Sequence, residues 1–242
     1  MSDTPFATAI LLAGGAGARM ANAVEDKILS PINGLPAIRY SIEAFARSET
    51  VDSLVIVYRD DDQRSRIENA VSKGEFRSLI WTRGGRERQD SVWSGLQAVE
   101  PNSEIVLIHD GARPLIASAT IDSVARAARS NRAACVARKM NDTIKQATAS
   151  DEGYRLQTLD RSKIWAMETP QAFANSLIVE AYRTVIEQGK SITDDLAAIE
   201  DQDLPVSLLE NASLNPKLTT PEDIAFVEFL LGKQRGSISI HR

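Results

Sequence analysis

Short apolar segments rich in β-branched residues alternate along the chain with amphipathic segments of helical period. The apolar segments predict five strands, at Thr8–Leu12, Ser53–Tyr58, Ser78–Thr82, Glu104–His109 and Ala133–Ala137. The segments between them predict helices, at Pro36–Arg47, Asp61–Val71, Asp90–Val99 and Ile121–Ser130. Repeated βα units place parallel strands side by side, with helices on both faces of the sheet. The pattern therefore predicts an α/β fold with a doubly wound, mainly parallel sheet.

This alternation stops after Ala137, where the chain becomes polar. A turn signal at Ser150-Asp-Glu-Gly153 lies between two segments with strand character, near Asp142–Gln146 and Tyr154–Leu159. We expect these segments to form a projecting β-arm, inserted at about residues 139–168.

Helical patterns return in the last third of the chain, at Ser176–Gln188 and Pro221–Leu231. A short strand is expected at Pro205–Leu209, and the basic, polar tail after Gly232 is expected to fray. No internal repeat or low-complexity linker divides the sequence. We therefore expect one domain that spans residues 1–242.

Composition narrows the possible function classes of this 242-residue chain. Its most apolar stretch, Ala7 to Ala18, contains three glycines and is shorter than the roughly 20 residues of a membrane helix, so no membrane partner is expected. The net charge of −5 gives no general attraction for nucleic acid. Cys135 is the only cysteine and the N-terminus lacks the pattern of a secretory leader, which favours a reducing, cytoplasmic location.

The strongest chemical signal follows the first predicted strand, where the chain reads Leu11-Leu-Ala-Gly-Gly-Ala-Gly-Ala-Arg-Met20. Three glycines after a strand let the backbone turn tightly and direct N–H groups at phosphate oxygens. The spacing differs from a dinucleotide-binding loop, whose third glycine would replace Met20, and from a P-loop, which needs Gly-Lys-Ser/Thr. The loop residues predicted to bind a polyphosphate are Leu12, Ala13, Gly14, Gly15, Ala16 and Gly17.

Two cations accompany this loop. Arg19 lies two residues after Gly17, and Lys27 lies eight residues after Arg19. Cations beside a phosphate loop neutralise charge that develops during phosphoryl or nucleotidyl transfer. Arg19 and Lys27 are therefore the candidate catalytic residues. The alternative is that both are solvated side chains beside a flexible turn.

The string Leu-Ala-Gly-Gly-x-Gly-x-Arg-Met, followed by a lysine at the distance of Lys27, resembles the nucleotidyltransferases that couple a nucleoside triphosphate to a phosphorylated sugar or polyol. Among them the chain is most similar to the 2-C-methyl-D-erythritol 4-phosphate cytidylyltransferase family, from about Thr8 to Leu231. The resemblance implies a Rossmann-like nucleotidyltransferase fold and transfer of CMP from CTP to a polyol phosphate. It also implies Mg²⁺ as the cofactor.

A second glycine pair, Gly84-Gly85, precedes Asp90 and Ser91 at the start of the third predicted helix. Short oxygen side chains at a helix start cap free N–H groups, and capping alone could explain Asp90. The resemblance implies that this stretch lines the cytosine and ribose pocket, with the Ser91 hydroxyl among its contacts. Gly84, Asp90 and Ser91 are therefore candidate CTP-binding residues.

Asp110 directly follows the fourth predicted strand, at the edge where open α/β sheets bind their ligands. A carboxylate there could hold Mg²⁺ directly or through water, or contact the ribose. Ala112 joins the candidate CTP site, and Arg113 would bind the acceptor phosphate or pair with a carboxylate. Gly111 departs slightly from the family pattern. We interpret His109 as structural, because a phosphate oxygen is already ionised and needs no base.

The resemblance assigns two residues of the arm, Thr143 and Arg161, to the polyol phosphate site. A guanidinium can bind phosphate through paired N–H groups, although a surface ion pair of Arg161 with Asp160 or Glu168 is the alternative. In the resembled family the arm interlocks two subunits. We therefore expect a homodimer, and an isolated two-stranded hairpin is only marginally stable without packing.

The C-terminal motifs complete the candidate acceptor site. Thr193 or Asp194 could bind a polyol hydroxyl, although capping of a following helix also explains Thr193. Lys217 is a candidate cation for the acceptor phosphate. Leu214 stands where the family usually has an aspartate that helps to place metal or substrate, and leucine cannot bind Mg²⁺. Two alternatives stay open: transfer to ribitol 5-phosphate, and a CTP-binding module without turnover.

Overall fold

Seven of the strands in the computed structural model form one central sheet, in the order β11-β7-β10-β6-β1-β4-β5. The structure describes residues 5–15, 26–72, 74–211 and 213–238. The strands are β1 (Ala7–Leu12), β2 (Pro31–Ile32), β3 (Leu35–Pro36), β4 (Val51–Tyr58), β5 (Ser78–Arg83), β6 (Ile105–Asp110), β7 (Ala133–Lys139), β8 (Lys145–Ser150), β9 (Gly153–Thr158), β10 (Trp165–Ala174) and β11 (Ser207–Glu210). The helices are α1 (Ala37–Ala46), α2 (Asp61–Glu68), α3 (Arg88–Ala98), α4 (Ser118–Asn131), α5 (Asn175–Glu187) and α6 (Glu222–Ile238).

The pairing confirms the predicted mainly parallel sheet. β1 lies between β4 and β6 and is parallel to both, β4 is parallel to β5, and β11 is parallel to β7. β10 is the exception, since it runs antiparallel to both of its neighbours, β6 and β7. The carboxyl ends of β1, β4 and β6 therefore meet at one edge of the sheet.

Hydrophobic cores cover both faces of the sheet, which explains why the inner strands are apolar at nearly every position. In β4, Leu54 and Ile56 join the core that includes α1 and α4, whereas Val55 and Val57 join the core that includes α3 and α5. All four side chains are fully buried. This two-sided burial confirms the doubly wound arrangement.

The predicted strands and helices of the first 140 residues are present, with ends that differ by a few residues. A short hairpin of β2 and β3 was not predicted. Its loop is Asn33-Gly34, and both residues have positive φ angles, 47° and 84°. Asn-Gly is a strong signal for such a turn, so the sequence contained the evidence for this hairpin.

The predicted arm is present as an antiparallel pair, β8 and β9. Its first strand begins at Lys145, three residues after the predicted start, and a two-residue loop joins Ser150 to Gly153. All residues of both strands are exposed, including Tyr154 at 73% and Leu156 at 63%. Within this chain, the two arm strands therefore leave their side chains uncovered.

The C-terminal elements agree with the predicted helices and short strand, with one correction. The backbone of α6 remains helical to Ile238, so the prediction of a frayed tail directly after Gly232 is wrong up to that residue. Several residues of this basic segment are good helix formers, which explains the extension. No helix in the described ranges combines the length and the apolar character needed to cross a membrane.

Candidate active site

A cavity opens at the edge of the sheet where β1 and β6 end, and it brings together nine of the predicted site residues. These are Leu12, Ala13, Gly14, Gly15, Lys27, Ser91, Asp110, Ala112 and Lys217. Six residues without a predicted role complete the lining: Ile28, Arg59, Gly85, Arg86, Glu87 and Arg88. The predicted loop residues Ala16 and Gly17 and the predicted catalytic Arg19 lie outside the described residues.

The ends of β1 and β6 approach each other closely below this cavity. The backbone N–H of Gly111 donates to the carbonyl oxygen of Leu12 at 2.9 Å. A Cβ atom at position 111 would lie only 2.9 Å from that same oxygen, closer than real Cβ atoms come. Glycine therefore suits this position, and the small departure from the family pattern has a local packing reason.

The second glycine pair packs against the start of α3. This helix begins at Arg88 with Glu87 as its N-cap, so Asp90 lies in the first turn and is not the cap itself. Its carboxylate accepts a hydrogen bond from the backbone N–H of Glu87 at 3.0 Å, which is a capping contact from the third helical position. Asp90 and Gly84 do not line the cavity.

Ser91 lines the cavity and is held by two contacts. Its Oγ accepts from the backbone N–H of Gly85 at 3.2 Å and donates to the carbonyl of Glu87 at 3.1 Å. A Cβ atom at Gly85 would lie 2.2 Å from the Cβ of Asp90, so only glycine fits there. The glycine pair thus lets the loop fold onto α3 and fixes the Ser91 hydroxyl at the cavity wall.

Asp110 is the buried carboxylate of the cavity. Its Oδ2 lies 2.6 Å from Lys217 Nζ, and its Oδ1 lies 3.4 Å from Arg88 Nε. Burial alone would raise the pKa of Asp110, but the charges of Arg88, Lys217 and Arg113 hold it well below its ordinary value. Asp110 is therefore ionised, and each of its oxygens already contacts a cation.

Arg88 joins this carboxylate to a second, fully buried one, Asp195. The guanidinium donates to both carboxylate oxygens of Asp195, at 2.8 and 2.7 Å, and the Tyr182 hydroxyl donates to Oδ1 at 2.5 Å. Burial lowers the pKa of Arg88, but the charges of Asp195 and Asp110 raise it above its ordinary value. The sequence analysis assigned no role to Arg88 or Asp195, although Arg88 lies between Gly85 and Asp90 and Asp195 directly follows Asp194.

His109 lies behind the cavity and is fully buried. One ring nitrogen, Nε2, is 3.1 Å from the carbonyl oxygen of Arg113, and Nδ1 is 3.0 Å from Thr169 Oγ1. Burial lowers the pKa of His109 to about 4. The ring is therefore neutral near pH 7 and both nitrogens are engaged, in agreement with the structural interpretation.

Arg113 lies outside the cavity lining. Its Nη1 donates to the carbonyl oxygen of Asn215 at 2.8 Å, two residues before Lys217. The backbone N–H of Leu218 donates in turn to the carbonyl of Ala112 at 2.8 Å. These contacts tie the segment that carries Lys217 to the end of β6. The predicted phosphate contact of Arg113 stays a prediction.

The segment after Thr193 corrects one expectation. Two short 3₁₀ turns, Leu196–Ala198 and Glu200–Gln202, replace the expected helix. Asp194, not Thr193, supplies the capping contact, because its Oδ1 accepts from the backbone N–H of Ala197 at 3.2 Å. Thr193 is exposed, and neither residue lines the cavity.

The two arm residues assigned to the acceptor are exposed and lie outside the cavity of this chain. Thr143 precedes β8, and Arg161 lies in the 3₁₀ turn that follows β9. Arg161 Nη1 donates to the carbonyl oxygen of Asn141, rather than to the carboxylates of Asp160 or Glu168 that were considered as partners. The structure therefore separates the predicted nucleotide residues from the predicted arm residues.

Comparison with known proteins identifies the family. Residues 7–233 match the model of the family described as IspD, 2-C-methyl-D-erythritol 4-phosphate cytidylyltransferase. The chain is 40% identical over 227 residues to the enzyme of that name from Geobacillus kaustophilus, covering 93% of this chain and 97% of the relative. It is 37% identical over 227 residues to the one from Caldanaerobacter subterraneus subsp. tengcongensis, covering 93% and 99%.

A solved structure agrees with these sequence relatives. The 4-diphosphocytidyl-2C-methyl-D-erythritol synthase of Anaerococcus prevotii superposes with a TM-score of 0.81 at 30% identity, covering 95% of this chain and all of that one. Both the sequence and the arrangement of the sheet are thus shared. The chain belongs to the 2-C-methyl-D-erythritol 4-phosphate cytidylyltransferase family and is a nucleotidyltransferase enzyme.

Proposed function

We propose that the protein transfers CMP from CTP to 2-C-methyl-D-erythritol 4-phosphate and releases pyrophosphate, a step of isoprenoid precursor synthesis. Family membership supports this acceptor over ribitol 5-phosphate. The observation that carries the proposal is the cavity at the ends of β1 and β6. Gly14, Gly15 and Lys27 line this cavity together with the ionised carboxylate of Asp110 and the lysine that contacts it, Lys217.

The nucleotide half of the reaction uses the glycine loop and its cations. Backbone N–H groups of the loop suit the phosphates of CTP, and Ser91 and Ala112 line the same cavity for the nucleoside. As the α-phosphorus is attacked, negative charge grows on its oxygens. Lys27, together with Arg19, is proposed to stabilise that charge.

Mg²⁺ is the proposed cofactor, and the chemistry of the cavity fits a metal held mainly by substrate. Asp110 offers one carboxylate, and the described residues contain no group of three or more metal-binding side chains. Mg²⁺ commonly binds through one or two carboxylates plus substrate phosphates, and keeps several waters. Asp110 would hold the ion directly or through water, and the bound ion would neutralise phosphate charge.

No general base is needed, because the acceptor phosphate oxygen is ionised before it attacks. This agrees with the buried, neutral state of His109, which has no role in the proposed chemistry. Lys217 is proposed to hold the acceptor phosphate in line with the α-phosphorus. Its side chain is 37% exposed, and its ammonium group is already held by Asp110.

Arg161 and Thr143 are proposed to complete the acceptor site from the arm, in a homodimer. The exposed apolar side chains of Tyr154 and Leu156 support this, because a second copy would cover them. Light scattering at micromolar concentration tests the assembly: a dimer mass is expected, and a monomer mass would contradict this part of the proposal.

Pyrophosphate release tests the reaction itself. With CTP and Mg²⁺, we expect rapid release when 2-C-methyl-D-erythritol 4-phosphate is added and little release with ribitol 5-phosphate. Release with ribitol 5-phosphate alone would keep the mechanism but replace the acceptor. CTP binding by calorimetry without release for either acceptor would support a non-catalytic binding module.

A further inference from the structure

Below the glycine loop lies a buried polar cluster that the proposed reaction does not use. It consists of Asp26 from the segment before α1, Arg59, which directly follows β4, and Gln63 from the first turn of α2. Gln63 is fully buried and Asp26 is 5% exposed. Buried amides and carboxylates are costly unless they are hydrogen-bonded, so the partners of this cluster indicate what it holds together.

Both N–H groups and the carbonyl oxygen of the Gln63 side-chain amide are hydrogen-bonded. Nε2 donates to the carbonyl oxygen of Ala13 at 3.0 Å and to Oδ2 of Asp26 at 2.6 Å. Oε1 accepts from the backbone N–H of Arg59 at 2.7 Å. One side chain thus joins two points that are thirteen residues apart in the sequence, Ala13 and Asp26.

These two points flank residues 14–25, the part of the sequence that begins with Gly14-Gly15 and ends directly before Asp26 and Lys27. Ala13 is the last residue before Gly14-Gly15, and Asp26 is the residue before Lys27. The Asp26 carboxylate also accepts from the backbone N–H of Ile28 at 3.2 Å, so it engages the backbone directly after Lys27. The backbone position of Lys27 is therefore fixed by a residue whose own carboxylate depends on Gln63.

Arg59 completes the cluster and connects it to the cavity. Its Nη1 lies 3.2 Å from Oδ2 of Asp26, its Nε lies 2.7 Å from Asp60, and its side chain lines the cavity. The buried Asp26 carboxylate therefore has a cationic partner as well as the amide of Gln63.

We propose that Gln63 is a positioning residue of the nucleotide site, which holds Ala13, next to Gly14-Gly15, and Asp26, next to Lys27, together and thereby places Lys27. The inference rests on the proposed function of this loop as the CTP phosphate site. Gln63 acts through Ala13 and Asp26 and does not line the cavity. Its loss should therefore impair CTP binding and turnover while the acceptor site is unchanged.

The test uses two substitutions of similar size in the full-length protein. Gln63→Met removes all three hydrogen bonds, and Gln63→Glu puts a second carboxylate against Asp26. For both we expect the Kd for CTP to rise and kcat to fall, each by about tenfold, the scale of losing one or two buried hydrogen bonds. The KM for the acceptor should change by less than about twofold.

The pH dependence of CTP affinity distinguishes a positioning role of Gln63 from a purely structural one. The pKa of a carboxyl at position 63 would be raised by burial and by the charges of Asp26 and Asp60, and lowered in part by the guanidinium of Arg59; its protonated form could donate again. CTP affinity of Gln63→Glu should recover as the pH is lowered, relative to wild type, whereas that of Gln63→Met should not. Gln202→Glu, the same charge change at an exposed position, is the matched control.

Thermal unfolding of each variant shows whether a loss of CTP binding comes from unfolding of the protein or from displacement of Lys27 in the folded protein. Folded Gln63 variants with wild-type CTP affinity and kcat would overturn the proposal. If neither variant folds, Asp26→Asn decides, since it keeps the volume and removes the charge. A rise in CTP Kd of about threefold is then expected, and no change would overturn the proposal. Failure of the wild type to bind CTP would instead reject the proposed function itself.

Discussion

The nucleotide cavity and the arm differ in how much of their surroundings one chain supplies. In the cavity, Ser91, Asp110 and Lys217 are each held by contacts within the chain, and Asp110 is 8% exposed. In the arm, every residue of β8 and β9 is exposed. A single chain therefore holds the described residues of the predicted nucleotide site in place, whereas it leaves the two strands of the arm uncovered.

Removing Lys27 should give the largest loss of turnover, because it takes a cation from the cavity. For Lys27→Ala we expect kcat to fall by about 10²–10³-fold with little change in thermal stability, since the lysine is proposed to act on charge that develops in the transition state. Pyrophosphate release and thermal unfolding measure the two quantities, with Lys233→Ala as a control on α6. Near-normal turnover by folded Lys27→Ala would remove Lys27 from the mechanism.

Removing Arg161 should separate the two regions. Arg161→Ala is expected to lower kcat/KM for the acceptor by about 30- to 100-fold, because a charge-assisted phosphate contact is lost. The Kd for CTP, measured by calorimetry, should stay within about twofold of wild type. If CTP affinity fell as much as kcat/KM for the acceptor, the arm would also contribute to nucleotide binding. That result would contradict the distinction between the two regions.

The burial of His109 behind the cavity should make the stability of the protein depend on pH. The folded-state pKa of His109 is lowered to about 4, below the ordinary value of about 6.5, so the unfolded chain binds the extra proton first. Neutral His109 contributes roughly 3 kcal/mol to the free energy of unfolding. This contribution is full above about pH 6.5 and is lost as the pH falls towards 4. Urea unfolding across this range should show the slope.

His109→Gln is the matched variant for this measurement. Glutamine removes the titration, so the difference in unfolding free energy between wild type and variant should shrink as the pH falls from about 6.5 to 4. The turnover of the variant, relative to its folded fraction, should stay close to wild type because His109 is not a catalytic base in the proposal. A pH-independent difference in stability would contradict the buried, neutral assignment.

The smallest effect is expected at Leu214. This residue is 54% exposed and does not line the cavity. Leu214→Asp should therefore change the Mg²⁺ concentration for half-maximal turnover by less than about threefold. Titration of Mg²⁺ in the pyrophosphate assay measures it. If Leu214→Asp lowered the Mg²⁺ concentration for half-maximal turnover by tenfold or more, an aspartate here would help to place the metal. The leucine would then weaken the metal site.

The sequence predicted the parallel strands, and it predicted nine of the residues that line the cavity, because both depend on local signals. Apolar runs predict buried strands, and glycines after β1 predict a phosphate loop at its carboxyl end. The antiparallel insertion of β10 between β6 and β7 was not predicted, because it depends on which strands pair across the sheet. The Asn33-Gly34 hairpin was also missed, although it has a local signal.

The supporting contacts of the site could not be found in the same way. Arg88 with Asp195, and Gln63 with Asp26, are separated by 107 and 37 positions, and no periodic pattern connects them. The sequence also could not show that Asp194, and not Thr193, makes the capping contact, because a residue distant in the sequence helps to place Asp194. Gln171 Nε2 donates to Asp194 at 2.9 Å from a distant strand, and this contact helps to fix which side chain meets the turn.

The most direct test of the proposed reaction is to identify its product. The protein would be given CTP, Mg²⁺ and an equimolar mixture of 2-C-methyl-D-erythritol 4-phosphate and ribitol 5-phosphate, and the nucleotide products would be separated by mass. The account predicts 4-diphosphocytidyl-2-C-methyl-D-erythritol and pyrophosphate in equal amounts. Cytidine diphosphate ribitol as the main product, or no cytidylylated product from folded, CTP-binding protein, would contradict it.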